Sequence, residues 1–177
     1  MSNLDKARVE RLLAELGQYL EERGESAQMY LVGGAAMALA YDRKRLTRDL
    51  DAVFIPKEMV YEAARVIAGR HDDLDEGWLN DAVKGLIPPG YDDNQQVVYC
   101  APGLSVAVAS PEYMLAMKVH AARAERDGED IILLAQRLNL TSSEQVLDLA
   151  EAIWGPGRLQ PKSQFVVQEL VDAHFRR

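Results

Sequence analysis

Apolar positions recur at helical spacing through residues 4–22, where Leu4, Val9, Leu12, Leu13, Leu16 and Leu20 form one stripe. The spacing predicts an amphipathic helix ended by Gly24. Leu31 and Val32 read as a short buried strand, Gly33 and Gly34 as a turn, and residues 35–40 as the opening of a helix. A second apolar strand carries Asp49 and Asp51 and ends at Pro56. Residues 57–70 predict a further helix with Met59, Ala63, Val66 and Ile67 on one side. Residues 71–76 form an acidic loop, and residues 78–84 predict a short helix. Pro88, Pro89 and Gly90 mark residues 88–94 as a loop. Residues 97–100 and 104–108 read as two strands joined by Pro102 and Gly103, a hairpin.

Beyond Ser110 the pattern is helical. Pro111 suits a first helical position, with Ser110 as the cap. Gly128 predicts a break, with Asp127 capping the helix that follows. Thr141 with Glu144 is a capping-box pattern opening a helix that runs to Trp154. Gly155 and Gly157 end that helix, and residues 161–174 predict the last. The whole reads as an α+β chain: a mixed α/β part over residues 1–110, then a helical part over residues 111–177, packed closely with a cleft between them.

Composition narrows the function. A chain of 177 residues holds one domain, or a small domain with a helical appendage. Hydrophobic residues at 48% and charged residues at 27% are ordinary for a soluble globular protein. No apolar run approaches the roughly 18 residues of a membrane span. The first residues carry no apolar signal core, and the single cysteine, Cys100, forms no internal disulfide, so the expected compartment is the cytoplasm. A net charge of −8 argues against broad wrapping of nucleic acid. Contact with RNA would need a local patch, either Arg43, Lys44, Arg45 and Arg48 or Arg123 with Arg126; the alternative is that these are solvated helix ends and a basic loop.

The candidate chemistry centres on the glycine pair and the two aspartates. Glycines at a strand-to-helix turn let backbone N–H groups approach a phosphate, and a helix N-terminus favours negative charge. Period-2 geometry puts Asp49 and Asp51 on one face of their strand and Leu50 and Ala52 on the other. Two carboxylates beside a phosphate cradle suit divalent-metal phosphoryl transfer, with Mg²⁺ or Mn²⁺ held by Asp49 and Asp51. The competing reading is a plain tight turn and a strand with a polar face. Lys118 falls in the row Met114, Lys118, Ala122, Arg126 at steps of four, which marks it as inward or semi-inward. It either neutralises phosphate charge or snorkels. Asp127 and Asp130 either hold Lys118 or a metal, or pair with Arg123 and Arg126. His71, His120 and His174 have no metal-ligand spacing. Cys100, Trp78 and Trp154 read as packing residues.

Leu31-Val32-Gly33-Gly34-Ala35 followed by Arg48-Asp49-Leu50-Asp51 resembles the nucleotidyltransferase superfamily built on the polymerase-β-like palm. The segment is also similar to the opening of tRNA CCA-adding enzymes. Over more of the chain the match is to small bacterial nucleotidyltransferase-like proteins that include abortive-infection toxins of the AbiEii type. Trp78-Leu79-Asn80-Asp81 with Lys84, and Lys118 followed by Arg123, Arg126, Asp127 and Asp130, carry that wider match. The resemblance implies a minimal palm, a mixed sheet with flanking helices, followed by a C-terminal helical bundle. It implies transfer of a nucleoside monophosphate from an NTP to an acceptor hydroxyl, at the 3′ end of tRNA or on a protein side chain, possible toxin activity and a cognate antitoxin. Asp49, Asp51, Lys118 and Asp130 would be catalytic, and Gly33, Gly34, Arg48 and Lys118 would bind nucleotide. Two departures stand out. Gly34 replaces a frequent serine, and residues 104–108 offer no third carboxylate, which leaves open a non-catalytic nucleotide- or partner-binding protein on the same fold.

Overall fold

The computed structural model describes residues 3–41, 44–121 and 123–175. Asp5 caps helix α1 (Lys6–Glu21) by accepting the Arg8 backbone N–H at 2.7 Å. The predicted stripe is the buried one: Val9, Leu12, Leu13, Leu16 and Leu20 are all within the core. Five strands follow along the chain: β1 (Ala27–Leu31), β2 (Leu50–Ile55), β3 (Leu79–Asn80), β4 (Gln96–Ala101) and β5 (Leu104–Val108). They form one sheet in the order β3-β2-β1-β5-β4. β1 runs antiparallel to β2 and parallel to β5, so the sheet is mixed. β3 joins β2 in parallel, and β4 closes the predicted hairpin with β5.

The alternation along each central strand decides which face is covered. Ala27, Met29 and Leu31 of β1 align with Leu104, Val106 and Val108 of β5, and Leu50, Ala52 and Phe54 of β2 share their face; all are buried. Helix α1 packs there together with α3 (Lys57–Ala68), whose Tyr61 ring meets Phe54 edge-on at 5.1 Å between centroids. The opposite face carries Asp51 and Val53 of β2, Tyr30 of β1, and Ser105 and Ala107 of β5, all half-buried. The buried residues of α3 are Val60, Ala63, Ala64, Ile67 and Ala68; Val66, expected on the inner side, is 36% exposed.

The structure differs from the sequence reading at several joints. The glycine turn opens only a four-residue helix, α2 (Gly33–Ala36), which widens into a π-helical turn over Met37–Tyr41. Residues 78–84 do not form the expected α-helix. Trp78 is fully buried with its Nε1 donating to the Ala64 carbonyl at 3.0 Å, and Leu79 pairs with Leu50, so burial and sheet pairing take the segment into β3 before a 3₁₀ turn over Ala82–Leu86. Cys100 is exposed on β4, an edge strand, and is not a core residue.

By contact density the chain forms two compact units, Met1–Gly85 with Gln95–Ala109, and Leu86–Asn94 with Ser110–Arg177. The second is helical: α4 (Pro111–Ala121), α5 (Ala124–Arg137), α6 (Ser143–Trp154) and α7 (Pro161–Phe175). Ser110 Oγ accepts the Tyr113 N–H at 3.2 Å, as expected of a cap. The cap of α6 is Ser142, one residue beyond Thr141, and accepts from Gln145 N–H. The break after α4 falls at Arg123, not at Gly128. Gly128 lies inside α5, where a Cβ would stand 3.3 Å from Leu170 Cδ1; the glycine lets α5 and α7 approach. Asp127 is accordingly no helix cap. Trp154 fills this unit's interior, donating from Nε1 to the Ala116 carbonyl at 2.9 Å and stacking on His120. Among the described residues no helix is long and apolar enough to cross a membrane.

Candidate nucleotide site

Gly33 has φ of +63°, a conformation that costs an L side chain about 1–2 kcal/mol. A Cβ there would also stand 3.0 Å from Asp51 Oδ2. The carboxylate therefore lies against the turn itself, over the space that the missing side chain leaves. Backbone pairing fixes the arrangement, since the Val32 N–H donates to the Asp51 carbonyl at 3.0 Å. The first N–H groups of a helix have no acceptor within it, so α2 opens with donors beside Asp51.

Gly34 has its own neighbour, which sequence reasoning missed. A Cβ at Gly34 would come within 2.6 Å of Thr47 Oγ1. The hydroxyl thus occupies the place that a serine at position 34 would have needed. Thr47 Oγ1 donates to the Asp49 carbonyl at 2.9 Å, and Thr47 is bridged through its backbone to Leu4 at 2.7 and 3.0 Å. The chain ahead of α1 thereby pins the segment that delivers Asp49. The only signal in the sequence was a threonine two residues before the first aspartate.

Asp49 stands immediately before β2 and not within it, half-buried like Asp51. Arg48 is exposed beside it, as is Lys44, while Arg45 is half-buried. Arg43 of the same basic stretch lies outside the described residues. Asp51 stands against the turn at Gly33, Asp49 lies two residues before it in the chain, and together they offer an all-oxygen set. That set fits Mg²⁺, which binds through one or two carboxylates and completes its shell with phosphate oxygens and water. Among the described residues no three His, Cys, Asp or Glu side chains gather as metal ligands. On β5 the residues of the face that Asp51 shares are Ser105 and Ala107.

Lys118 and Asp130 belong to the second unit. Lys118 is 9% exposed, and its ammonium lies 2.8 Å from Asp127 Oδ1 and 2.7 Å from Asp130 Oδ2. Asp127 is fully buried and also accepts from Arg123 Nε at 3.0 Å. Burial pushes the Asp127 carboxyl up, but Lys118 and then Arg123 outweigh it and hold the group below the usual carboxylate range. The inward placement read from Met114 and Lys118 is present: both are buried. The row of four breaks, however, because α4 ends at Ala121 and Arg126 lies on α5; Ala122 is outside the described residues. The three histidines stay apart, His71 on Glu15, His120 on Trp154 and His174 on Gln136.

A family model described as "Nucleotidyltransferase of unknown function (DUF6036)" matches residues 7–154. The chain belongs to this family. The match spans both the glycine turn with Asp49 and Asp51 and the Lys118, Asp127 and Asp130 cluster, takes in the whole mixed sheet and α4 to α6, and ends before α7. Among solved structures, an antigenic nucleotidyltransferase-like protein from Paracoccidioides brasiliensis is similar at 14% identity, covering 99% of this chain and 100% of that one, with a TM-score of 0.40. That likeness is too low to carry an argument about the site. No curated protein matches the chain.

Proposed function

We propose that this nucleotidyltransferase moves a nucleoside monophosphate from an NTP to an acceptor hydroxyl. The observation that carries the reading is the contact between the positive-φ glycine and a carboxylate: the space where a Gly33 side chain would be faces Asp51 Oδ2 at 3.0 Å. A phosphate cradle and an anionic ligand are thereby built into one turn. In the reaction the acceptor oxygen bonds to the α-phosphorus, the bond from that phosphorus to the bridging oxygen breaks, and pyrophosphate leaves as the hydroxyl proton is released. Backbone N–H groups at Gly33 and Gly34 hold the phosphates, Asp49 and Asp51 hold Mg²⁺ or Mn²⁺, and exposed Arg48 meets the incoming anion. The metal, when bound, neutralises developing phosphate charge. Catalysis on such a site is positioning and electrostatics, with no covalent intermediate required of the protein.

The acceptor follows from the AbiEii-type resemblance: the 3′ end of tRNA, or a side-chain hydroxyl of a protein, in the setting of a toxin with its antitoxin. One observation favours a second reading, a nucleotide-binding protein without transfer. No third carboxylate joins Asp49 and Asp51 among the described residues, and Asp130 already pairs with Lys118 in the second unit. Incubation with each α-labelled NTP, Mg²⁺ and total cellular RNA or protein separates the two. Label in a macromolecule is the expected result, and the labelled fraction names the acceptor class. Binding of NTP with no label in either fraction selects the non-catalytic reading.

A further inference from the structure

Asp51 has a neighbour on the edge of the sheet. In the parallel β2–β3 pair, Asn80 is its direct partner, and Leu79 is the partner of Leu50. Partners on adjacent strands lie about 4.8 Å apart and point to the same face. Leu79 and Leu50 are buried on the helix-covered face, so Asn80 stands with Asp51 on the other, half-buried. Its amide has a fixed sense. Oδ1 accepts the Ala82 N–H at 3.1 Å, which leaves both Nδ2 hydrogens as donors with no hydrogen bond to the protein among the described residues.

A two-residue edge strand has little pairing of its own, yet the end of this one is tied down. Asp81, alternating to the helix side, accepts from Tyr61 Oη at 2.6 Å, and its Oδ2 lies 2.7 Å from Lys57 Nζ and 3.0 Å from Lys84 Nζ. The Asp81 N–H returns to Tyr61 Oη at 3.3 Å. Lys57, then Tyr61 and Lys84, hold the Asp81 carboxyl far below its ordinary range, so it stays ionised and the clamp stays closed at neutral pH. Tyr61 is seated on Phe54, in the same strand as Asp51. The clamp therefore fixes Asn80 relative to the carboxylate beside it.

We propose that Asn80 is a nucleotide-contacting residue, its Nδ2 donating to a triphosphate oxygen of the NTP bound at Asp51, with Asp81 as the residue that positions it through Tyr61, Lys57 and Lys84. The inference rests on the nucleotide-site reading above. A neutral donor suits the position: it binds an anionic oxygen without adding a third negative charge beside Asp49 and Asp51.

The test is calorimetric titration of the full chain with each of the four NTPs and Mg²⁺, for wild type, Asp51→Asn, Asn80→Ser and Asn80→Asp, with thermal unfolding of each. Asn80→Asp keeps the acceptor for Ala82 and loses the donors; Asn80→Ser loses their reach without adding charge. Both should weaken NTP binding about tenfold or more at unchanged unfolding temperature, the loss expected for a hydrogen bond to a charged group. If both bind like wild type while Asp51→Asn binds more weakly, the role of Asn80 is wrong and the site stands. If only the serine variant is weakened, or the aspartate variant binds more tightly, Asn80 serves the turn and the proposal is overturned. A wild type that binds no NTP overturns both the site and the role of Asn80.

Discussion

Gly103→Ala should destabilise the protein by about 3 kcal/mol or more, the upper end of what overpacking costs. A Cβ at Gly103 would stand 2.1 Å from the Gly17 carbonyl oxygen and 2.7 Å from the Glu21 backbone nitrogen. Both are main-chain atoms of α1 and cannot swing aside. Either the helix or the β4–β5 turn must move, and the turn is also held by the Ala27 N–H donating to the Gly103 carbonyl at 3.1 Å. For a chain of this length the unfolding temperature should fall by roughly 6–12 °C. Gly17→Ala is the matched control. Its Cβ would meet Tyr99 Oη at 3.2 Å, the far end of a side chain that can give, and Leu104 Cβ at 3.3 Å, a far milder approach than 2.1 Å to a carbonyl oxygen, so its cost should be smaller. A Gly103→Ala protein that unfolds within about 2 °C of wild type would show that α1 and the hairpin do not meet at these two glycines.

Asp49→Asn and Asp51→Asn should each reduce label transfer by roughly 10²–10⁴-fold, the several kcal/mol that a metal contributes to such a reaction. Each substitution removes ligand charge and keeps shape. Stability should be unchanged or slightly higher, because two neighbouring carboxylates repel in the absence of a cation. Asp51→Asn should be the more severe, since Asp51 is the carboxylate set against the Gly33 turn. Full transfer by both variants, with an active wild type, would remove the two aspartates from catalysis.

The parts of this site that were legible in the sequence are those fixed by local periodicity. Gly33 and Gly34 punctuate a strand-to-helix turn, and alternation along β2 puts Asp51 on the side away from Leu50 and Ala52, which are buried; Asp49, expected on the same strand, stands just before it. What was illegible depends on contacts distant in sequence. Thr47 reaches Gly34 only because its backbone pairs with Leu4. Asn80 comes beside Asp51 only because burial of Trp78 and Leu79 draws that segment onto the sheet, where local pattern had suggested a helix. Gly103 was readable as a turn residue, but its steric need comes from a helix more than eighty positions earlier. Gly128 failed as a helix breaker for a related reason: its packing against Leu170 favours the small residue inside α5. Of the two roles that the sequence leaves to Asp127, the local cap gives way to the other: it is a buried partner of Lys118 and Arg123.

The most direct measurement of the two-carboxylate site is calorimetric titration of wild-type protein with each NTP, in Mg²⁺ and again in EDTA. Asp49 and Asp51 beside a bound triphosphate would repel it without a cation, so binding should be clear in Mg²⁺ for at least one NTP and weaken strongly in EDTA. Equal binding with and without the metal, or no binding of any NTP, would contradict a nucleotide–metal site at Gly33, Gly34, Asp49 and Asp51.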